Sequence, residues 1–273
     1  MTITDGLVSR FLDVPGARLH YEVRGNGPLL LVIGSPMTSA EFAPVAHALA
    51  GDHTVVTYDP RGLGASTIDD PAQDATPGLR ADDVAAIIET LDAGPADVFG
   101  TSGGAVTGLA LVTRHPDRVG TLIAHEPPLT DLLPQAEQQR AAVEDIIETF
   151  HRDGPAAAWM KFMANAGLDL ESGPPPGPEP SADEQAAQSA AAARFFDHEL
   201  RLTVGYRPDI EALRAARVII GIGEGSGHLL TYQTSHALAA LIGVTPVDFP
   251  DDHTGFMSAP GAFAARIHRV LGH

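Results

Sequence analysis

Short apolar runs bounded by turn residues recur along the chain, and most are followed by a longer stretch with helical spacing. That rhythm predicts a mostly parallel, twisted central sheet covered by helices on both faces. Arg18 to Val23 (RLHYEV) alternates polar and apolar positions, as a half-exposed strand does. Leu29 to Ile33 (LLLVI) is apolar throughout, which predicts a central strand buried on both faces. Thr54 to Tyr58, Ala96 to Phe99, Thr121 to Ala124, Arg217 to Ile222 and Thr245 to Phe249 repeat the strand signal. Leu79 to Leu91 sets Val84, Ile87, Ile88 and Leu91 at helical spacing. Gly104 to Arg114 is small or apolar on nearly every side, which predicts a helix in the centre of the fold.

From Pro127 to about Pro208 the strand signal stops and only helical patterns remain. Glu137 to Phe150, for example, aligns Val143, Ile146, Ile147 and Phe150 on one face. This predicts a helical insertion over 127–208, set into an α/β core of residues 1–126 and 209–273. Inside the insertion, Ser172 to Ala182 carries five prolines and is expected to be an exposed loop, since it suits neither helix nor central strand.

Composition narrows the chemistry. With 273 residues the chain suits one large domain carrying an insertion. The 35 acidic residues against 17 basic ones give a net charge of −18, which argues against a nucleic-acid-binding face and for a small, neutral, partly apolar partner. The absence of cysteine removes thiolate nucleophiles and disulfides, and Lys161 is the single lysine, so Schiff-base chemistry is a poor fit. No histidine pair has metal-ligand spacing, so neither a metal nor a cofactor is expected. Residues 1–16 lack the basic start and apolar run of a leader, and no apolar run reaches the roughly 18 residues of a membrane span. The expectation is a cytoplasmic protein that does not engage a membrane, and the heavy use of Ala, Gly, Pro and Arg points to a GC-rich bacterial genome.

One serine stands out. Gly100 to Gly104 (GTSGG) follows a predicted strand and opens the buried helix. In that context the G-x-S-x-G pattern forces a sharp turn that lifts Ser102 above the sheet edge, with the Gly103 amide beside it as a donor to a developing oxyanion. A serine needs a base, and of the 12 histidines His253 sits in a loop between the last predicted strand and the helix Pro260 to Leu271.

Tyr58 to Ser66 (YDPRGLGAS), GTSGG and Asp251 to Phe256 (DDHTGF), in this order and spacing, resemble the α/β-hydrolase superfamily, with the insertion where that family carries its cap. The resemblance covers almost the whole chain. It implies the α/β-hydrolase fold and a nucleophile–base pair of Ser102 and His253. It places a second oxyanion donor in the loop Gly34-Ser35-Pro36-Met37, where Ser35 supplies the amide because Pro36 has none. Met37 and the cap residues Trp159, Phe162, Met163, Phe195 and Phe196 are candidate pocket residues. The segment DPRGLGAS is expected to be structural.

The acid that orients the histidine departs from the family pattern. The usual site ends the strand after the cap, and here it reads Gly223-Glu224-Gly225-Ser226, with a serine in place of the aspartate. Two replacements remain, Glu126 as the expected acid, its direction fixed by Pro127 and Pro128, and Glu224 as the alternative. Glu126 occupies the alternative acid position of haloalkane dehalogenases and zearalenone-type lactonases, and Glu224 lies two residues from the vacated site. The resemblance implies a serine esterase or lactonase working through an acyl-enzyme. The same triad also serves C–C bond hydrolysis, perhydrolysis or acyl transfer, and the same fold hosts cofactor-free lyases, oxygenases and non-catalytic binding proteins. Aspartate-nucleophile chemistry is disfavoured because Ser102 stands in the nucleophile position.

Overall fold

The computed structural model describes residues 6–168 and 181–272. The strands of its single sheet are β1 (Val8–Val14), β2 (Ala17–Arg24), β3 (Leu29–Ile33), β4 (Thr54–Tyr58), β5 (Thr67–Ile68), β6 (Ala96–Thr101), β7 (Val119–His125), β8 (Val218–Gly223) and β9 (Val247–Phe249). Their spatial order is β1-β2-β4-β3-β6-β7-β8-β9, with β5 paired to β2. The first hairpin is antiparallel and β2 runs antiparallel to β4, whereas β4 through β9 are parallel.

The helices are α1 (Ser39–Leu49), α2 (Pro77–Leu91), α3 (Gly103–Arg114), α4 (Ala136–Asp153), α5 (Pro155–Ala166), α6 (Ala182–His198), α7 (Leu200–Val204), α8 (Ile210–Ala215), α9 (Leu230–Ile242), α10 (Gly255–Ser258) and α11 (Pro260–Leu271). The two-residue period of β3 sorts them into layers. Leu29, Leu31 and Ile33 pack with Val84, Ile88 and Leu109 of α2 and α3. Leu30 and Val32 point the other way, onto Phe42 and Val45 of α1 and Phe263 and Ile267 of α11. A strand buried on both faces has no room for polar alternation, hence the unbroken LLLVI.

The connection through α1 leaves β3 in one direction, and α2 leads to β6 on the other side of β3 over the opposite face. The carboxyl ends of β3 and β6 therefore flank a topological switch point, where open α/β sheets form their ligand crevices. Helices α4 to α7 are inserted between β7 and β8 and own a separate apolar cluster that includes Val143, Ile146, Ile147, Phe195, Phe196 and Leu200.

Strand β1 and helix α1 are among the elements that the sequence pattern did not predict. Strand β1 is exposed along most of its length and holds its place by pairing with β2. Helix α1 contains Pro44, which interrupts the helical signal. Strand β9 begins at Val247 rather than Thr245, because Pro246 lacks the amide a ladder needs. Most of the proline-rich stretch Ser172 to Ala182 lies outside the described residues. Among those described, no helix is long and apolar enough to cross a membrane.

Candidate active site

The turn between β6 and α3 is as tight as its glycines suggest. Ser102 has φ 54° and ψ −125°, a conformation costing on the order of 1–3 kcal/mol for a residue with a Cβ. At Gly100, a Cβ would stand 2.5 Å from the Gly104 carbonyl oxygen, so no side chain fits at that turn. Although Ser102 occupies the N-cap position of α3, where serine ordinarily binds first-turn amides, it makes no side-chain capping bond. Its hydroxyl is left to the cavity it lines.

Glu126 follows β7 directly and also takes a positive φ, 50°. Its amide donates to the Gly221 carbonyl at 3.0 Å, which locks the chain between β7 and β8 and turns the side chain inward, and Pro127 and Pro128 prevent the strand from continuing. The carboxylate is fully buried. Oε1 accepts from the Gly223 amide at 2.8 Å, and Oε2 accepts from Thr231 Oγ1 at 2.8 Å and contacts His253 Nδ1 at 2.6 Å. Burial, the largest single effect, opposes its charge. The His253 hydrogen bond and the adjacent His125 and His253 rings outweigh it and bring the pKa down to about 2. A carboxylate so held stays ionised at neutral pH and is an acceptor for a proton on Nδ1 of His253.

His253 sits in a turn stapled to the rest of the sheet edge. The Glu224 amide donates to Phe249 and that of Gly225 to Asp251, at 2.9 and 2.8 Å, while Asp252 Oδ1 accepts from the Thr254 amide at 2.8 Å. Beneath it His125 stacks at 6.2 Å between ring centroids. Burial pushes the His125 pKa down to about 4, so this second imidazole is uncharged at neutral pH.

Glu224 is placed differently. Its side chain is 61% exposed and reaches only towards Arg266, at 3.9 Å, so Glu126 rather than Glu224 lies against His253. Ser226, in the vacated acid position, is fully buried.

Ser35 and Gly103 are immediate neighbours: a Cβ on Gly103 would lie 2.7 Å from the Ser35 carbonyl oxygen. The Gly103 amide opens α3 and belongs to the first-turn donors that have no acceptor within a helix. Both residues share with Ser102 and His253 one cavity of about 270 Å³, roofed by the inserted helices. Met37, Phe162, Met163 and Phe195 line it. Trp159 and Phe196 do not: Trp159 stacks on Phe195 at 4.9 Å and borders a neighbouring groove, and Phe196 is fully buried against Phe150 and Trp159. These two hold the inserted helices together because large aromatics gain most from mutual burial. Val143 and Ile146, read in the sequence only as a helix face, also line the cavity, as do Glu199 and Thr203, for which the sequence offered no signal. Among the described lining residues there is no lysine or arginine, and Glu199 is the one carboxylate. Among the described residues no three His, Cys, Asp or Glu side chains are grouped as a metal site requires.

The segment DPRGLGAS organises a turn. Asp59 accepts from the Ser39 amide and hydroxyl, the Ala65 amide and His20, while Arg61 is buried against Asp83 and also reaches Gln73.

A serine on a strained turn at a switch point, faced by a loop histidine and covered by inserted helices, is the architecture of one class of enzyme fold. The family model described as alpha/beta hydrolase fold matches residues 27–158. The hydrolase YraK of Bacillus subtilis, described as uncharacterized, is 32% identical over 99% of this chain and 97% of its own. The chain belongs to the α/β-hydrolase fold family. A 2-(acetamidomethylene)succinate hydrolase of Mesorhizobium japonicum is 34% identical over 44% of this chain and 43% of its own. The structure of a thermophilic esterase from Thermogutta terrifontis, with malate bound, superposes with a TM-score of 0.71 at 22% identity, covering 97% of this chain and 98% of that one.

Proposed function

We propose that the chain is a serine hydrolase acting on a neutral, largely apolar ester or lactone, with residues 1–126 and 209–273 as the catalytic core and 127–208 as its cap. The observation that carries this reading is the 2.6 Å contact between His253 and the buried Glu126, on a cavity that also holds the strained Ser102. Ser102 Oγ attacks the substrate carbonyl carbon while His253 Nε2 takes its proton. The carbonyl oxygen becomes an oxyanion held by the amides of Ser35 and Gly103. The tetrahedral intermediate collapses, the C–O bond to the leaving group breaks, and His253 returns the proton to the departing alkoxide. Water then attacks the acyl-enzyme with His253 again as base, and the carboxylic acid leaves. Glu126 keeps the imidazole in the required tautomer and balances its transient positive charge.

The cavity supports a neutral substrate. Its described walls carry no lysine or arginine to pair with a substrate carboxylate, and the one carboxylate among them, Glu199, is already neutralised by Arg80 behind it. The succinate named for the Mesorhizobium relative is therefore a poor match to this chain. Incubation with a fluorophosphonate probe should give an adduct on Ser102, and hydrolysis of neutral p-nitrophenyl esters in ¹⁸O-water should place the label in the acid product. Folded protein whose Ser102 stays unmodified would refute the reading. Competing alcohol or peroxide acceptors that divert the acyl group would instead assign acyl transfer or perhydrolysis.

A further inference from the structure

Ser35 is held by more than its loop. Its hydroxyl donates to Glu199 Oε1 and accepts from Arg80 Nη1 at 2.9 Å, and Arg80 Nη1 also pairs with that same Glu199 oxygen. The other arginine branch, Nη2, donates to Thr203 Oγ1 at 2.8 Å. The Arg80 and Glu199 side chains are 1% and 2% exposed. Arg80 comes from α2 in the core, Glu199 joins α6 to α7 in the inserted helices, and Thr203 lies on α7. A loop, a core helix and the helical insertion thus meet at one desolvated charge pair. The same corner is tied down again nearby, where the Ala75 amide donates to the His198 carbonyl at 2.9 Å.

A buried ion pair is a poor source of net stability, because desolvation cancels most of the attraction, but it imposes a narrow geometry on everything bonded to it. Here the bonded group is the residue whose amide, in the function proposed above, receives the oxyanion. The signs of the charges matter as well. Glu199 is one hydrogen bond from Ser35, and an unbalanced carboxylate there would oppose negative charge developing at the oxyanion. Arg80 cancels it.

We propose that Arg80 and Glu199 form a charge-balanced clamp that positions the Ser35 amide, so that the oxyanion site is complete only when the α6–α7 corner is docked on the core. Both are positioning residues that act through Ser35, and the proposal rests on the serine-hydrolase reading. Within it, the clamp ties cap geometry to the rate of the chemical step rather than to substrate affinity.

The test measures kcat and KM for one neutral p-nitrophenyl ester, together with the rate of Ser102 phosphonylation by a fluorophosphonate, which also places an oxygen in the oxyanion site. Ser35→Ala should lower kcat and phosphonylation about tenfold with KM within about twofold, a fraction of what losing an oxyanion donor outright costs. Ser35→Thr, which keeps the hydroxyl, should restore most of the rate. Arg80→Met should lower the rate about a hundredfold by leaving Glu199 uncompensated, and Arg80→Met with Glu199→Leu should recover to roughly the Ser35→Ala level, the non-additivity expected of a charge pair. Circular dichroism and thermal melts identify the folded variants. Ser35→Ala, the mildest change, decides the matter if the arginine variants do not fold. Labelled wild type with unchanged kcat and labelling rate in folded Ser35→Ala, or a loss confined to KM, overturns the clamp alone. Wild type that never labels overturns the function beneath it.

Discussion

Two serine–histidine–carboxylate sets among the described residues differ in nearly everything except residue type. Ser9, His20 and Asp59 are hydrogen-bonded end to end at 2.8 and 2.9 Å. In the other set, Ser102, His253 and Glu126, the tight contact is the 2.6 Å one between imidazole and acid. Ser9 stands exposed on the regular edge strand β1, and Asp59 divides its two oxygens among the donors of a turn. Ser102 sits in a strained conformation on a cavity it shares with Ser35, Gly103 and His253, and Glu126 gives its oxygens to His253, Thr231 and Gly223. A hydrogen-bonded relay by itself only ties two strands and a turn together. Catalysis needs the relay to end on a nucleophile that faces pre-aligned donors in a water-poor space.

The largest effect that would break or sharpen this contrast is at the two serines. Ser102→Ala should cut ester turnover by a factor on the order of 10⁴ or more, and Ser9→Ala should leave it within about twofold. Phosphonate adducts mapped by mass spectrometry check the same point, and an adduct on Ser9 in place of Ser102 would invert the comparison.

The two acids should separate next. Glu126→Gln is expected to lower kcat by a factor on the order of 10³–10⁴, by removing the acceptor that sets the His253 tautomer. Asp59→Asn should instead lower stability by roughly 1–3 kcal/mol, since donors aimed at the carboxylate lose their partner, with kcat of the folded protein little changed. Glu224→Gln, on the surface, should alter neither. Kinetics paired with urea melts on the three variants distinguish the outcomes.

The smallest effect concerns pH. His125, held near pKa 4 by burial, refuses a proton that the unfolded chain takes up near 6.5, so stability falls as pH drops between those values. Glu126, lowered to about 2 from 4.5, continues the loss as pH falls further. The His125 contribution is on the order of 3 kcal/mol. Urea midpoints for His125→Phe should therefore depend less on pH between 6.5 and 4 than those of the wild type, and parallel curves would remove His125 from the account.

Much of this layout is legible in the chain. Strands β3 and β4 begin and end where their apolar runs do, and the G-x-S-x-G turn carries its own geometric demand in its glycines. The expectation of Glu126 over Glu224 rested on its place after a predicted strand and before two prolines, and the sequence carried no sign of the contacts that set the two apart. What separates them is the reach of the Glu126 carboxylate to Gly223, Thr231 and His253, which are 97, 105 and 127 residues further along. Trp159 and Phe196 look like pocket residues by type, and only the tertiary structure shows them packed on Phe195 and Phe150 instead of lining the cavity.

By itself the sequence determined the succession of apolar strand runs, the helical insertion, the serine turn and the loop histidine. Each follows from preferences that act over a few residues: side-chain period, backbone sterics, the missing amide of proline. Tertiary structure alone decided how the Glu126 carboxylate reaches His253, and that Arg80 and Glu199, 119 residues apart, meet at Ser35. Those are contacts between desolvated polar groups. Their strength depends on which distant partners arrive in the same low-dielectric space, and no local stretch of chain encodes that.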